Sequence, residues 1–171
     1  MEKKTEIIEN FKKAITSTIK SITGDQHIEV IFGNEVNKKN KKIINLPSIE
    51  NINNKINYLK TRALADSEAL RIRCSDVNIY NSFEPRGNFS KLLYAAAEKI
   101  RYENIGSSYF KGIKENLNYF YEIKNKKKIQ DESYDYEFLD AFEYYLRINI
   151  SRFNKNKDLE NKYKKYKKKL D

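Results

Sequence analysis

The stretch Arg62–Asp76 reads R-A-L-A-D-S-E-A-L-R-I-R-C-S-D, and the rest of the chain is organised around it. Elsewhere Lys, Asn, Ile and Tyr dominate. Here Arg replaces Lys, Ala appears three times, and Asp66, Glu68 and Asp76 sit at helical distances from Arg62, Arg71 and Arg73. The apolar residues Ile52, Ile56, Leu59, Ala63, Leu70, Cys74 and Val77 recur at intervals that predict one long helix over about 49–82, with Ser48 as its N-cap and Glu50 in its first turn. The small side chains Ala63, Ala65 and Ala69, with Ala95–Ala97 further on, allow close helix approach. Five of the seven Arg (62, 71, 73, 86 and 101) lie between positions 62 and 101, against 27 Lys overall. Where Lys is the default cation, such Arg mark positions that use a planar, multi-donor fork.

Working outward, residues 6–22 form an amphipathic helix with Ile8, Phe11, Ile15, Ile19 and Ile22 inward, and Gly24 ends it. Residues 27–33 alternate, with Ile28, Val30 and Phe32 on one face, which predicts a strand. A polar loop leads to a second apolar run at Ile43–Leu46, and the pair is expected to form a small β-hairpin leaning on helices. After Pro85-Arg86-Gly87, a helix over Phe89–Ile105 is expected to turn Phe89, Leu92, Leu93, Ala96 and Ile100 inward. Gly106 is expected to stop it and Ser107 or Ser108 to cap the next, whose seam is Phe110, Ile113, Leu117 and Phe120. Residues 124–130 read as a solvated basic connection. A fifth helix uses Phe138, Leu139, Phe142, Tyr145, Leu146 and Asn149. A final one uses Leu159, Tyr163, Tyr166 and Leu170 and either frays or docks on a segment beyond the chain. The fold class is mainly α (α+β): a bundle of about five to six helices with one two-stranded hairpin, in a single domain over 1–171.

Composition narrows the function. One Cys precludes an internal disulfide and a Cys-based zinc site. The polar start M-E-K-K-T-E is no signal peptide, and no apolar run reaches membrane-spanning length, so a soluble, cytoplasmic protein is expected. The net charge of +10 invites a nucleic-acid reading. Lys and Asn rise together, however, as they do under a base-composition bias, and much of the excess falls on Asn154–Asp171, with eight Lys against three acids.

No constellation resembles an active site. His27, the single histidine, stands at a strand start without a catalytic partner. Cys74 lies on an apolar stripe, and no Gly-rich phosphate loop is present. Asp131-Glu132-Ser133-Tyr134-Asp135 imitates a D-x-S-x-S metal loop, but its last position is Asp and no buried strand precedes it; Asp131 and Ser133 read as helix caps. The remaining candidates are Arg62, Asp66, Glu68, Arg71, Arg73, Asp76, Glu98, Arg101 and Glu103. They are expected to form an Arg–carboxylate network between the second and third helices that fixes register or docks a partner.

These residues resemble the N-terminal region of the CobT-type subunit of the aerobic, ATP-dependent cobaltochelatase. The resemblance rests on Phe11-Lys12-Lys13-Ala14, Ile22-Thr23-Gly24-Asp25, Glu29-Val30-Ile31-Phe32-Gly33 and Leu46-Pro47. The family segment R-G-L-A-D-x-x-A-L-R-x-x-x-H-D is met by Arg62, Leu64, Ala65, Asp66, Ala69, Leu70, Arg71 and Asp76, with Ala63 in place of Gly and Ser75 in place of His. A later E-x-x-R-x-E-x-x-G is met by Glu98, Arg101, Glu103 and Gly106, followed by Gly112, Asn116 and Leu117. The resemblance covers roughly residues 11–120 and leaves 124–171 as a basic connection and further helices.

The resemblance implies a subunit that bridges an AAA+ ATPase subunit (CobS-type) and a large corrin-binding subunit (CobN-type). The assembly inserts Co²⁺ into hydrogenobyrinic acid a,c-diamide during cobalamin biosynthesis. Family members end in a von Willebrand A-type domain that these residues do not include. Cobalt, Mg²⁺ and ATP then belong to the assembled complex, with no cofactor, metal or catalytic residue in this chain. Two alternatives remain: an adaptor of an AAA+/von Willebrand A pair with a non-corrin client, and a basic nucleic-acid-binding domain.

Overall fold

A stripe of apolar residues on one helix face would suit a simple bundle, but the central helix here is enclosed on more than one side. The computed structural model describes residues 2–33, 42–49, 55–127, 134–151 and 155–171. Helix α1 (Glu2–Thr23) buries Phe11, Ile15, Ile19 and Ile22 as its sequence predicts. It ends where Gly24, at φ +71°, donates its N–H to the carbonyl of Lys20 at 3.0 Å. Strands β1 (Glu29–Phe32) and β2 (Ile43–Leu46) follow, then helix α2 (Lys55–Cys74), which carries most of the Arg62–Asp76 stretch. Helix α2 packs against α1, against β2, and against helices α4 (Asn88–Tyr109) and α5 (Lys111–Lys127). Its Ala63, Ala65, Ala69 and Leu70 are all buried in the main core with Ile15, Ile19, Ile44, Leu46, Ile113, Leu117 and Tyr121.

The strands are not a hairpin. They pair parallel, with Val30 opposite Ile44 and Phe32 opposite Leu46. Alternation tells which face a strand buries and is silent on direction. The parallel register sets half-buried Val30 and Phe32 beside the buried Ile44 and Leu46 over the core, while the buried residue of β1 itself is Ile31, off the expected face. Strands of four residues need a return path of only about 13 Å, and the intervening residues 33–42 have reach to spare.

Three helix boundaries also differ from expectation. The stripe continuing through Val77 is broken at Ser75-Asp76. Asp76 is extended and its carboxylate accepts the N–H groups of Asn78 at 2.8 Å and Ile79 at 3.2 Å, starting a separate helix α3 (Val77–Phe83). The proposed start of the long helix at 50–54 lies outside the described residues. Helix α4 runs through Gly106, Ser107 and Ser108 and breaks at Phe110 instead. Gly106 is needed for contact rather than termination: a β-carbon there would overlap the side chain of Leu70 on α2. The inward face of α4 is accordingly rotated to Ala96, Ile100, Tyr102, Glu103 and Gly106, leaving Leu92 exposed. Lys124–Lys127, expected as a loop, belong to α5.

Helix α6 (Tyr134–Ser151) packs on α4 and starts a second apolar cluster. Helix α7 (Lys157–Tyr163), a short 3₁₀ turn at Lys164–Tyr166 and helix α8 (Lys167–Leu170) complete it. Leu159, Tyr163 and Tyr166 bury against Ala141, Phe138 and Tyr144 of α6, so the last seam docks within the chain and does not fray. Among the described side chains of α6 the buried ones are Asp140, Ala141 and Arg147; the expected Phe138, Leu139, Phe142, Tyr145 and Leu146 are half-buried and Asn149 is exposed. The expected capping role of Asp131 and Ser133 lies outside the described residues.

Candidate functional site

The Arg residues of the central region act first on helix ends. Helix C-termini leave carbonyls without partners, and cations near them are favoured. Arg73 donates from Nη1 to the carbonyl of Ile22 in the last turn of α1 at 2.6 Å. Arg101 of α4 donates to the carbonyl of Cys74, the last residue of α2, at 2.6 Å. Arg101 also grips Glu98 at 2.6 and 2.8 Å, and Ser75 donates to the same Glu98 carboxylate at 2.7 Å. The Arg101 fork and the Ser75 hydroxyl hold the Glu98 carboxyl below the usual range against the opposing effect of burial. Ser75 thus occupies its position as a hydrogen-bond donor between α2 and α4.

A second group is buried where four helices meet. Glu103 of α4 accepts from Ser67 of α2 at 2.5 Å, from the Tyr121 hydroxyl of α5 at 3.0 Å to each oxygen, and from Arg147 of α6 at 2.9 Å. Both Glu103 and Arg147 are buried, and the Arg147 guanidinium lies 3.4 Å from the centre of the Tyr121 ring. Burial works against the Arg147 charge, yet the Tyr121 and Glu103 oxygens outweigh it and raise its pKa further. Burial, followed by the Glu103 charge, pushes the Tyr121 hydroxyl well above its ordinary value, so it stays a donor at neutral pH. The two charges balance and the acid is fully occupied, while the buried Nε of Arg147 has no hydrogen-bond partner among the described residues. That suits a structural joint.

Asp66 is the third buried charge. Its oxygens meet Arg62 at 3.3 Å and the Asn116 amide at 2.8 Å, and Arg62 reaches on to Thr18 of α1 at 3.0 Å. Burial raises its carboxyl above the ordinary value near 3.8, and the Arg62 and Asn116 donors only partly oppose this. A raised native value means that the stability tied to Asp66 is complete below the unfolded value and is lost as pH rises through the native one. The stability difference between wild type and Asp66→Asn, measured by urea unfolding from pH 3 to 7, should therefore shift against wild type as pH rises above about 4. A pH-independent offset would show that Asp66 titrates alike in both states.

Among the candidates, the Arg–carboxylate pairs Arg62–Asp66 and Arg71–Glu68 lie within α2 and Arg101–Glu98 within α4, while α4 is tied to α2 and to the turn after it by Ser67–Glu103, Ser75–Glu98 and Arg101 on the Cys74 carbonyl. Asp66 and Glu103 are buried and cannot be contact residues for a partner. Arg71, Arg73, Asp76 and Arg101 are exposed, with Glu68 and Glu98 half-buried beside them. Among the described residues Glu68 pairs with its helix neighbour Arg71 at 3.0 Å, a contact worth a few tenths of a kcal/mol. Ser67, Tyr121 and Arg147 were not among the expected residues. Arg147 carried one usable signal: it is an Arg in a Lys-rich half of the chain. His27 is exposed, and Cys74 is half-buried with its thiol pushed up by burial, which disfavours the thiolate a nucleophile requires. Among the described residues no three His, Cys, Asp or Glu side chains cluster as a metal site would require.

Beside the exposed charges runs a groove of about 910 Å³, bordered by Arg71, Ile72, Ser75, Asn78, Glu98 and Tyr102. Its outer wall is α3, which buries none of its residues and exposes Val77, Ile79 and Phe83. Tyr80 holds α3 in place against Tyr94, with ring centres 4.8 Å apart and the Tyr94 hydroxyl donating to the Tyr80 carbonyl at 3.3 Å.

The described residues form a helical body tied together by buried ion pairs, with a charged and apolar edge left open along α3. The family model described as cobalamin biosynthesis protein CobT matches residues 5–141, and the chain belongs to that family. Its role accordingly lies in cobalamin biosynthesis. No solved structure matches the chain. No helix among the described residues is long and apolar enough to cross a membrane.

Proposed function

We propose that this chain is the assembly and coupling element of the cobaltochelatase, noncatalytic by itself. In this reading it links the AAA+ ATPase subunit to the large corrin-binding subunit while Co²⁺ is inserted into hydrogenobyrinic acid a,c-diamide. The observation that carries the reading is the division of the family's signature stretch. Its buried half, Ala63 to Leu70, builds the core. Its second half turns Arg71, Arg73 and Asp76 to solvent, keeps Ile72 and Cys74 against the core, and leads directly into α3 and three exposed apolar side chains. Apolar surface rimmed by charge is the usual character of a protein-binding patch.

Contact with the ATPase subunit is assigned to Glu68, Arg71, Arg73, Asp76, Glu98 and Arg101 with Ile79 and Phe83. Asp66 and Glu103 support that edge from within. Co-purification with the AAA+ subunit tests this. Arg71→Glu combined with Phe83→Asp should weaken association at least about tenfold, the scale of one lost hot spot, while circular dichroism and thermal unfolding stay as in wild type. Undiminished association of a folded double variant would remove this surface from the interface.

A further inference from the structure

Helices α6–α8 hold to one another through their own core. Leu159, Tyr163 and Tyr166 pack on Ala141, Phe138 and Tyr144 in an apolar cluster that shares no member with the main one. Hydrogen bonds reinforce it. The Tyr144 hydroxyl donates to the Asn156 carbonyl at 3.0 Å and accepts its N–H at 2.8 Å. Glu137 of α6 accepts from Lys165 at 2.8 Å and from the Tyr166 hydroxyl at 3.0 Å.

The joint between this unit and the body has a different character. It follows α4. Phe89 meets Phe138 with ring centres 6.0 Å apart, and further along Glu103 holds Arg147 at 2.9 Å. Ala96 and Ile100 fall on the same face of α4 by helical spacing and are buried, yet they belong to neither cluster. Lys124 of α5 adds a second ion pair, to Glu143 at 3.0 Å. A buried ion pair yields little net stability, because desolvation offsets most of the attraction. The Arg147 Nε is buried without a hydrogen-bond partner among the described residues, a bond that water supplies on exposure.

We infer that α6–α8 is a releasable cover on α4: the three helices come away as one unit while the body, α1 to α5, stays folded. Their mutual ties make them leave together, and both charges of the Glu103–Arg147 pair regain water when they do. The unit spans residues 134–170, fewer than the roughly 40 at which a domain folds alone without staples. Its release is therefore also its melting, a partial opening below the global one. Release bares the face of α4 from Phe89 to Glu103. It does not depend on the role assigned to the α2–α3 edge.

Hydrogen exchange of the full chain in rising, sub-denaturing urea, read by mass spectrometry, tests the inference. Peptides from α6 and α7 should exchange together, at least about tenfold faster than peptides from α1 and α2. Ile15→Val trims a fully buried side chain of α1. It should speed exchange of α1 and α2 about two- to tenfold and leave α6 and α7 unchanged. Arg147→Met should speed α6 and α7 or abolish their protection, while α1 and α2 stay protected. One common rate for all helices, separate rates for α6 and α7, or equal acceleration of every helix by Ile15→Val would each overturn the inference. So would an Arg147→Met variant with unchanged exchange in α6, or one in which α1 loses protection as well.

Discussion

Arg147→Met should destabilise the protein by about 3–5 kcal/mol, because it strands the Glu103 carboxylate in the core with only neutral donors. A domain of this size is stable by only about 5–15 kcal/mol, so the loss approaches half of the total or more. The pair itself is not a large net source of stability, since removing two charges from water offsets most of their attraction. The two statements are reconciled by a double variant. In Glu103→Gln/Arg147→Met neither charge of the pair remains, and Ser67 and Tyr121 can still donate to the amide oxygen. Urea unfolding should then place the double variant well above the sum of the single losses, by more than the roughly 0.5 kcal/mol that marks true coupling. Additive losses would mean that the two charges do not compensate each other.

The second large effect concerns Leu70 and Gly106. Leu70→Ala removes a fully buried side chain and should cost about 2–5 kcal/mol. Gly106→Ala alone drives a β-carbon into the Leu70 side chain and should cost about 1–3 kcal/mol by overpacking. With Leu70 truncated that obstacle is gone. Gly106 lies inside α4, where Ala is favoured over Gly by about 1 kcal/mol. Gly106→Ala should therefore change sign, destabilising wild type and stabilising Leu70→Ala, as read by thermal or urea unfolding. Destabilisation in both backgrounds would show that something other than Leu70 excludes the side chain.

These pairs mark where sequence reading succeeds and where it stops. The stripe of α1 was legible because one face is buried and the opposite face is polar, so the period stands out. The seam Leu159, Tyr163, Tyr166 was legible for the same reason, although its partner was not. Helix α2 was harder. Its neighbours lie on several sides, and it buries Asp66 and Ser67 among its apolar residues, so the stripe predicted a helix without its surroundings. The stop at Ser75-Asp76 was hidden because Val77 continues the stripe, while the decisive signal was a carboxylate turned back onto two N–H groups. Strand direction was not encoded in alternation at all.

The candidate site was legible in membership more than in role. Glu98 and Arg101 were paired by their i,i+3 spacing and joined to Glu103 and Gly106 by the family resemblance; in the structure the first three face α2 and its end through Ser75, Cys74 and Ser67, with Gly106 against Leu70. What separates a buried structural acid such as Glu103 from a surface one such as Glu68 is long-range packing. The base that balances Glu103 lies 44 residues away, beyond the reach of any local pattern.

That last pairing bears on where the body ends. Glu103 lies inside the range matched to the family, and Arg147 lies outside it. A charge buried in the matched body is thus neutralised from the segment that follows it. Cutting this protein back to the matched range would strand the Glu103 carboxylate, so the last turns of α6 belong electrostatically to the body they pack on.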